Sequence, residues 1–522
     1  MLKNKTVLAL AGILVIVFAL RLPFIQNRTY NMDEAFSALI AHDILDGKMP
    51  YQGALNNRSP LVYYAYAAAF ALFGRDNMPA VYVMLALTVA AQTILICLLG
   101  AWGGDRRLGL WAAFFFAVFS WAGPPTDMWA VHTEWFLILF SILGMIGLVV
   151  WGREERPFRL VLCGIFFGLA ALSKQVGVFD FGAAAAYVFL YTVMRKQGLK
   201  SGFFCVLLLS AGFFSILLLA SFYFYANGAW EDYLYYVWTY NNRHYIPELG
   251  WGERSRVFGP HLWGFYQNKY LLVIFGTAGL LWALCGLRSA PENSGLPRRD
   301  FCLLLCLWFF FGLAGASLSA RGFEHYFLQT LPAAVLLAAY GLRRVESQWP
   351  GLRAIFYSFA LVSLLLSVAG TFLRYYREVC PLDPSAPSLS AYVKDRTSKD
   401  DSIFVWGNYP ELYLHSGRRP ATRFVDCNFL TGLTYKMDAN GAFTTGQVDL
   451  PAVWWTTFIA ELEQSRPAMI IDVTPVADFR YQAHPISRYP RLKKFLDRYY
   501  QLDPQYRYTS YPGTIQIYVR KP

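Results

Sequence analysis

Long apolar stretches separated by short polar segments dominate the chain up to residue 373. Most of these stretches reach the roughly 18 residues that a helix needs to cross a bilayer. Lys174 divides one longer stretch into two. The pattern predicts eleven membrane-spanning helices, which lie at about 6–24, 78–101, 108–124, 132–151, 159–173, 175–194, 202–226, 269–287, 301–319, 325–341 and 354–373.

The rest of the chain has the shorter apolar segments that are typical of an α/β fold. "DSIFVWG" (401–407) and "GTIQIYVRK" (513–521) predict strands. "PELYLHSG" (410–417) predicts a short helix, because proline stands in its first turn and glycine at its end. "WTTFIAELEQSRPAMIIDV" (455–473) predicts a helix followed by a strand. At about 140 residues, this part of the chain is long enough to have its own core.

The predicted domain organisation follows from these two patterns. Residues 1–373 are expected to form a polytopic α-helical transmembrane domain, and residues 374–522 a small α/β domain. The segment 25–77 is a long loop after the first span. Within it, "MDEAFSALIAHDILDG" (32–47) has apolar residues at helical spacing, which predicts a helix lying along the membrane surface.

Composition agrees with a membrane protein. The chain is 56% hydrophobic and only 15% charged, whereas soluble domains carry about 25% charged residues. The net charge of +12 needs no nucleic acid to explain it, because Lys and Arg cluster in alternate short loops, as in "DRR" (105–107) and "GLRR" (341–344). By the positive-inside rule these loops are cytoplasmic. We therefore expect a multi-pass membrane protein with a cytoplasmic N-terminus and with 25–77 and 374–522 on the outer side.

Two further sequence features bear on processing and disulfides. Lys3 and Lys5 precede an apolar core, as in a signal peptide, but no small-x-small cleavage site follows, so we expect an uncleaved first span. Cys380 and Cys427 lie in the polar tail and could form a disulfide if that tail is extracytoplasmic.

Candidate chemistry is concentrated at one set of span ends. The sequence has no P-loop, no HExxH and no GxSxG motif. Polar residues instead collect at the ends expected to face outward, and ionisable residues at a membrane edge are candidates for function. These residues are Asp33 and Glu34, Arg58, Asp127, His132 and Glu134, Lys174, and Arg321, Glu324 and His325.

Each of these residues also has an ordinary structural interpretation. Asn31 and Glu34 fit a capping box at a helix start, with Asp33 in the first turn, where the helix dipole favours an acid. The basic residues could anchor to lipid headgroups or extend to the interface. Asp127 and His132 could be plain polar residues near a turn. The functional interpretation therefore depends on the set as a whole.

The combination indicates a reaction type. Arginine grips phosphate through two parallel hydrogen bonds, and a carboxylate nearby suits a general base. Cations at a membrane edge suit an anionic lipid headgroup. Together these groups suggest transfer from a lipid phosphate to a hydroxyl.

Several motifs also resemble a known family. "MDEAFSALIAHDILDGKMPYQGALNNRSPLVYY" (32–64), "HTEW" (132–135), "SKQVG" (173–177) and "RGFEHYFLQTLP" (321–332) resemble the GT-C glycosyltransferases of the dolichyl-phosphate-mannose protein mannosyltransferase type. The likeness is greatest to the bacterial branch that includes the aminoarabinose transferases and the rhizobial galacturonosyltransferases. It extends over residues 1–345 and implies a protein of the bacterial inner membrane.

The resemblance implies an inverting transfer of a hexosyl or pentosyl group from a polyprenyl-phosphate donor to a lipid, glycan or protein acceptor. The family's first-loop aspartate falls on Asp33, the expected catalytic carboxylate, and Glu34 would cap the helix and orient it. The second acidic position falls on Glu134 or Asp127. Arg58 stands where the family often has lysine. The resemblance places four residues in the donor phosphate site, namely Arg58, Lys174, Arg321 and His325.

Metal dependence and two rival functions stay open on the sequence alone. Some GT-C enzymes use a divalent metal, and His132 with Glu134 could hold one, but no firm cofactor is assigned. A lipid or glycolipid transporter or flippase is the first rival, although the sequence shows neither internal repeats nor midplane ion sites. A non-catalytic assembly protein of the cell envelope is the second. The sequence names neither the sugar nor the acceptor.

Overall fold

The computed structural model describes residues 4–154, 156–246, 249–289, 299–378, 385–437, 443–476, 479–506, 509–510 and 513–522. The first helices are α1 (Asn4–Arg21), α2 (Met32–Leu45), α3 (Leu61–Phe73), α4 (Met78–Gly103), α5 (Arg106–Phe119), α6 (Pro125–Met128), α7 (Thr133–Glu154), α8 (Arg159–Ser173), α9 (Gly177–Met194), α10 (Leu199–Ala226) and α11 (Trp230–Tyr233). They are followed by α12 (Trp251–Tyr266), α13 (Tyr270–Ser289), α14 (Arg299–Ser317), α15 (Leu331–Gln348) and α16 (Arg353–Glu378).

The C-terminal part alternates helices and strands. Its helices are α17 (Ser385–Arg396), α18 (Glu411–Ser416), α19 (Asn428–Thr431), α20 (Val453–Ser465), α21 (Phe479–Gln482) and α22 (Pro490–Tyr499). Its strands are β1 (Ser402–Trp406), β2 (Arg419–Pro420), β3 (Leu433–Met437), β4 (Phe443–Gln447), β5 (Met469–Asp472), β6 (Tyr500–Leu502), β7 (Thr509–Ser510), β8 (Gly513–Thr514) and β9 (Gln516–Arg520).

Two irregular helical regions lie at the same end of the bundle as the polar residues. A 3₁₀ segment, Glu324–Thr330, leads directly into α15. Two π-helical stretches, Leu234–Thr239 and Asn241–Tyr245, continue the chain after α11.

Eight helices in the described ranges are long and apolar enough to cross a membrane, judged by length and composition: α1 with the turn after it, α4, α7, α9, α10, α13, α14 and α16. The other three predicted spans are helical as well. α5 and α8 have only 14 and 15 residues. α15 has charged residues near its C-terminal end (Arg343, Arg344 and Glu346). The predicted polytopic helical fold is confirmed, and α8 ends at the residue before Lys174, as the sequence predicted.

Glycines let two helix pairs pack with their backbones in close contact. A Cβ at Gly212 of α10 would lie 1.9 Å from the carbonyl oxygen of Val161 in α8. A Cβ at Gly279 of α13 would likewise lie 1.9 Å from the carbonyl oxygen of Leu337 in α15. Small residues at such crossings are the usual way in which membrane helices gain packing energy. These contacts hold α8 against α10 and α13 against α15.

The C-terminal part contains the predicted α/β layer. Its main sheet has the strand order β2-β1-β5-β9-β6, in which β1 pairs in parallel with β2 and β5, while β9 is antiparallel to both β5 and β6. Trp406, Phe458 and Ile470 are fully buried and form part of its core. The predicted strand at 401–407, the helix at 410–417 and the helix and strand within 455–473 are confirmed. The single strand predicted at 513–521 is instead divided into β8 and β9, which belong to different sheets. The domain boundary at 373 stays a prediction, since α16 continues to Glu378.

The α/β layer packs directly onto the loops at one end of the helical bundle. The Leu55 amide donates to the carbonyl oxygen of Arg423 over 3.0 Å. The ring of Trp454 stacks on Tyr236 of the π-helical stretch, with centroids 6.0 Å apart. The predicted Cys380–Cys427 disulfide involves a residue outside the described ranges; Cys427 itself is buried.

Candidate functional site

A cavity of about 600 Å³ lies between the end of the helical bundle and the α/β layer. The helix starts of α2, α7 and α9 contribute to its wall, as do the 3₁₀ segment before α15 and the loops after β1 and β2. All the candidate residues predicted from the sequence line it except Glu34 and Glu324. The charged and histidine side chains that line it are Asp33, Arg58, Asp127, His132, Glu134, Lys174, Arg321, His325 and Asp426.

The start of α2 places its two acids in different surroundings. The Asn31 side-chain oxygen caps the helix by accepting hydrogen bonds from the amides of Asp33 (3.0 Å) and Glu34 (3.3 Å). Because consecutive helical residues point about 100° apart, Asp33 faces the cavity while Glu34 points behind its wall. The two hydrogen bonds to the Asn31 side chain confirm the Asn31 half of the expected capping box.

Glu34 binds the segment that leads to His132. It is fully buried, and its carboxylate accepts hydrogen bonds from the amides of Tyr30 (2.6 Å) and Val131 (2.8 Å) and from the hydroxyl of Tyr82 (3.1 Å). Burial raises the pKa of Glu34 to about 7, although these hydrogen bonds act in the opposite direction. This arrangement joins α2 to the loop before α7, which is a structural contact rather than a contact with the cavity.

Asp33 forms an ion pair with Arg58. Burial alone would raise the pKa of the Asp33 carboxyl, but the Arg58 guanidinium outweighs that effect and holds the pKa below its usual value. Asp33 is therefore ionised at neutral pH. Its side chain keeps 23% of its surface exposed, so that the carboxylate remains reachable from the cavity.

Lys174 and Glu134 form a second ion pair, and Glu134 is almost fully buried at the start of α7. The Lys174 ammonium also lies 3.7 Å from the ring centroid of Tyr326. A cation over a tyrosine face gains electrostatic attraction to the ring. Lys174 is thus matched by a carboxylate and an aromatic ring at the break between α8 and α9.

His325 and Asp127 form a third pair. The His325 Nδ1 donates to Asp127 Oδ1 over 2.6 Å. The ring of His325 stacks on the ring of His132, with centroids 4.0 Å apart and planes at 7°. Burial and the neighbouring His325 lower the pKa of His132 to about 4, so His132 is neutral at pH 7.

Arg321 differs from Arg58 and Lys174, the other two cations of the cavity, in having no carboxylate partner among the described residues. It is 6% exposed, and it forms no ion pair with a carboxylate in the described part of the chain. Its guanidinium lies 3.5 Å from the ring centroid of Tyr245 and donates to the Thr434 hydroxyl over 3.0 Å. Tyr245 in turn shares a hydrogen bond with Tyr326, the ring beneath Lys174. A buried cation with only neutral partners is an attractive site for an anionic ligand.

Asp33, His132 and His325 could gather around a metal ion, since one ligand atom from each lies within 4.8 Å of the others. This cluster differs from the pair His132 and Glu134 that the sequence suggested, because Glu134 is occupied by Lys174. Carboxylate oxygen and imidazole nitrogen suit Zn²⁺.

Two contacts of that cluster oppose a resident metal. Asp33 is already paired with Arg58. The Asn31 side-chain Nδ2 donates to His132 Nε2 over 3.2 Å. Because Nε2 accepts this hydrogen bond, the proton of the neutral His132 ring is on Nδ1, which lies 3.8 Å from Asp33 Oδ2. As arranged, the residues do not present three free lone pairs, and they do not fit a resident metal.

Sequence reasoning missed the neutral partners of the cations. Tyr245 and Tyr326 support Arg321 and Lys174, and Thr434 contributes from the α/β layer. The aromatic run at 230–246 was a signal for Tyr245, and Tyr326 directly follows His325. Thr434 has no comparable signal in the sequence, because its role depends on how the α/β layer packs on the bundle.

The fold identifies the structural class to which the protein belongs. The chain has the polytopic helical fold of the GT-C glycosyltransferases. No protein-family model matches the sequence, and a search of curated proteins finds no match.

Particular solved structures share this fold. ArnT from Cupriavidus metallidurans bound to undecaprenyl phosphate superposes with a TM-score of 0.62 at 13% identity, over 99% of this chain and 98% of that one. The oligosaccharyltransferase AglB from Archaeoglobus fulgidus, in complex with an inhibitory peptide and a dolichol-phosphate, gives a TM-score of 0.53 at 12% identity over 99% and 74%. The Archaeoglobus fulgidus oligosaccharyltransferase in complex with Zn and sulfate gives 0.56 at 13% identity over 98% and 73%.

Proposed function

We propose that the protein is an inverting glycosyltransferase. It moves a hexosyl or pentosyl group from a polyprenyl-phosphate donor to a hydroxyl of a lipid, glycan or protein. The observation that carries the proposal is the uncompensated Arg321 guanidinium in the same cavity as the ionised, accessible Asp33. ArnT with undecaprenyl phosphate and AglB with a dolichol-phosphate share the fold and support a lipid-phosphate donor.

In the proposed reaction the acceptor hydroxyl oxygen attacks the anomeric carbon, and the bond from that carbon to the phosphate oxygen breaks. The hydroxyl proton passes to Asp33, and the electron pair of the broken bond leaves with the polyprenyl phosphate. An ionised carboxylate of low pKa suffices as base, because the hydroxyl becomes strongly acidic as its oxygen bonds to carbon.

The cations have separate tasks in this mechanism. Arg321 receives the donor phosphate and stabilises the charge that develops on it as it leaves. Arg58 keeps Asp33 ionised and oriented. Lys174 and His325 hold the carboxylates of Glu134 and Asp127 and complete the wall around the phosphate.

We further propose that the cavity opens on the outer side of a bacterial inner membrane. Arg106, at the start of α5, and Arg343, near the end of α15, are at the ends of these helices that point away from the cavity. Cationic loops stay on the cytoplasmic side. The α/β layer at 374–522 would then be extracytoplasmic.

The test separates transfer from transport. The purified protein is placed in liposomes with radiolabelled polyprenyl-phosphate sugars and candidate acceptors, and the fate of the label is followed. Cleavage of the sugar–phosphate bond, with the label in a new product, supports the proposal. Intact donor appearing in the opposite leaflet without cleavage contradicts it and favours the flippase.

A further inference from the structure

An acidic residue is buried among the membrane-spanning helices, away from the ion pairs of the cavity. Asp180 of α9 is 0% exposed. Ser141 of α7 donates to its Oδ2 over 2.5 Å, and the Gln329 side-chain amide donates to its Oδ1 over 3.2 Å. A carboxylate at such a depth is costly unless it is paired, and it usually has a task. We call Ser141, Asp180 and Gln329 the polar triad.

Each member of the polar triad lies on an element that carries, or directly follows, a charged or histidine residue of the cavity. Ser141 lies two helical turns after Glu134 on α7. Asp180 follows the turn that holds Lys174. Gln329 belongs to the same 3₁₀ segment as His325. The triad therefore connects the three elements that bring these charges together.

Gln329 makes a second contact that strengthens this connection. Its amide nitrogen also donates to the carbonyl oxygen of Val176, over 3.1 Å. Val176 is two residues after Lys174, in the break between α8 and α9. One side chain thus binds both the Lys174 turn and Asp180, so that the 3₁₀ segment cannot slide relative to that turn without losing two hydrogen bonds.

The space around Gln329 is closely packed on its other side. A Cβ at Gly315 of α14 would lie only 2.9 Å from Gln329 Oε1 and 3.3 Å from the ring of Phe179. Gly315 itself lines the cavity. A methyl group at this position must displace Gln329, which gives a way to disturb the polar triad without changing any of its members.

We infer that Asp180 is a positioning residue, which holds the turn containing Lys174 and the 3₁₀ segment containing His325 in a fixed relative position. The pairs Lys174–Glu134 and His325–Asp127 then both line the part of the cavity proposed to bind the donor phosphate. This inference rests on the proposed glycosyl transfer. Asp180 touches no reacting atom, and its effect passes through Gln329 and Val176. Hydrogen bonding rather than charge carries this role, because Asp180 contacts neutral partners, Ser141 and Gln329.

The experiment compares Asp180→Ala with Asp180→Asn and Gly315→Ala with Gly370→Ala. A Cβ added at Gly370 of α16 would meet no atom within 4 Å, so this position serves as the matched glycine control. Two properties are measured in purified full-length protein: amide hydrogen exchange in peptides covering 174–177 and 323–330, and the Kd for undecaprenyl phosphate. Transfer kcat and KM follow where a donor is accepted.

Asp180→Ala is expected to speed exchange in both peptides and to weaken undecaprenyl phosphate binding about tenfold, since the hydrogen bonds from Ser141 and Gln329 are both lost. Asparagine can accept from Gln329 through Oδ1 and donate to the Ser141 oxygen, so Asp180→Asn should stay within about threefold of wild type. Gly315→Ala should reproduce the alanine effect, and Gly370→Ala should not.

Unchanged exchange in Asp180→Ala overturns the inference. So does an asparagine variant as impaired as the alanine variant, because the charge would then matter and not the hydrogen bonds. Faster exchange with unchanged undecaprenyl phosphate binding also overturns it. A wild-type protein that neither binds undecaprenyl phosphate nor transfers sugar refutes the proposed function instead, and the exchange measurement, which needs no donor, still decides whether the polar triad holds the two segments.

Discussion

Replacement of Arg321 by methionine tests whether this guanidinium binds the donor phosphate in the cavity. Methionine keeps much of the apolar stem, but it removes the guanidinium that lies on Tyr245 and donates to Thr434. Hydrogen bonds to a charged group contribute about 1.5–3 kcal/mol. The Kd for undecaprenyl phosphate should therefore rise by about 10- to 150-fold, with little change in stability, because no buried carboxylate loses its partner.

The comparison with Lys174→Met makes this prediction specific. Lys174 is paired with the buried Glu134, and removal of one partner from a buried pair costs about 3–5 kcal/mol of stability. Lys174→Met should therefore lower the Tm strongly, whereas Arg321→Met should not. Isothermal titration or fluorescence binding in detergent, together with thermal unfolding, measures both effects. Arg498→Met, in an exposed part of the α/β layer, is the control for loss of one positive charge.

One pattern of results would refute this reasoning. If Arg321→Met binds undecaprenyl phosphate like wild type while Lys174→Met folds normally and loses binding, then Lys174 is the phosphate ligand. The assignment based on uncompensated charge would then be wrong. Arg321→Lys should fall between wild type and methionine, because lysine keeps the charge but not the two parallel donors.

Three further predictions concern structure and cofactors. Glu34→Gln should lower the free energy of unfolding by about 1–3 kcal/mol, which thermal unfolding would show as a lower Tm. The reason is that an amide group cannot accept all the hydrogen bonds that the carboxylate accepts from Val131 N and its other donors. An unchanged Tm would argue that Glu34 does not hold α2 against the loop before α7. Transfer activity should persist in EDTA, because Asp33, the carboxylate of the candidate metal cluster, is already paired with Arg58. Loss of activity in EDTA that Zn²⁺ or Mn²⁺ restores would show that a metal ion displaces Arg58 from Asp33. Gly212→Ala should destabilise the protein by about 1–3 kcal/mol, because the new Cβ would meet the Val161 carbonyl oxygen. A Tm equal to that of Gly370→Ala would show that α8 and α10 can move apart to accept the methyl group without loss of stability.

The sequence was most informative where a local pattern decides the structure. Apolar length predicted the helices of the bundle, and the break at Lys174 falls where α8 ends. The cap at Asn31 was predicted from the spacing of Asn31 and Glu34, and the structure has it. The strand at Ser402–Trp406 and the helix at Glu411–Ser416 were predicted from turn residues and apolar runs. In each case the determining interactions lie within a few residues of one another.

Interactions between distant residues could not be predicted in the same way. His325 and Asp127 are 198 residues apart in sequence, and the pairing of Arg58 with Asp33 depends on how the long loop folds back. The sequence suggested four equivalent phosphate-binding residues, whereas the structure pairs three of them with carboxylates. Charge matching in three dimensions, which no spacing rule encodes, distinguishes Arg321 from Arg58, Lys174 and His325.

The most direct test of the proposed function is the activity of Asp33→Asn, measured with donor binding on the same purified sample. Asparagine keeps the shape of the side chain but cannot accept the hydroxyl proton as a carboxylate does. The proposed mechanism predicts that sugar transfer from a radiolabelled polyprenyl-phosphate donor falls at least about 100-fold, while undecaprenyl phosphate still binds through Arg321. Asp497→Asn, an exposed site in the α/β layer, should transfer like wild type. Transfer by Asp33→Asn at the wild-type rate would contradict the proposed role of Asp33 as the base.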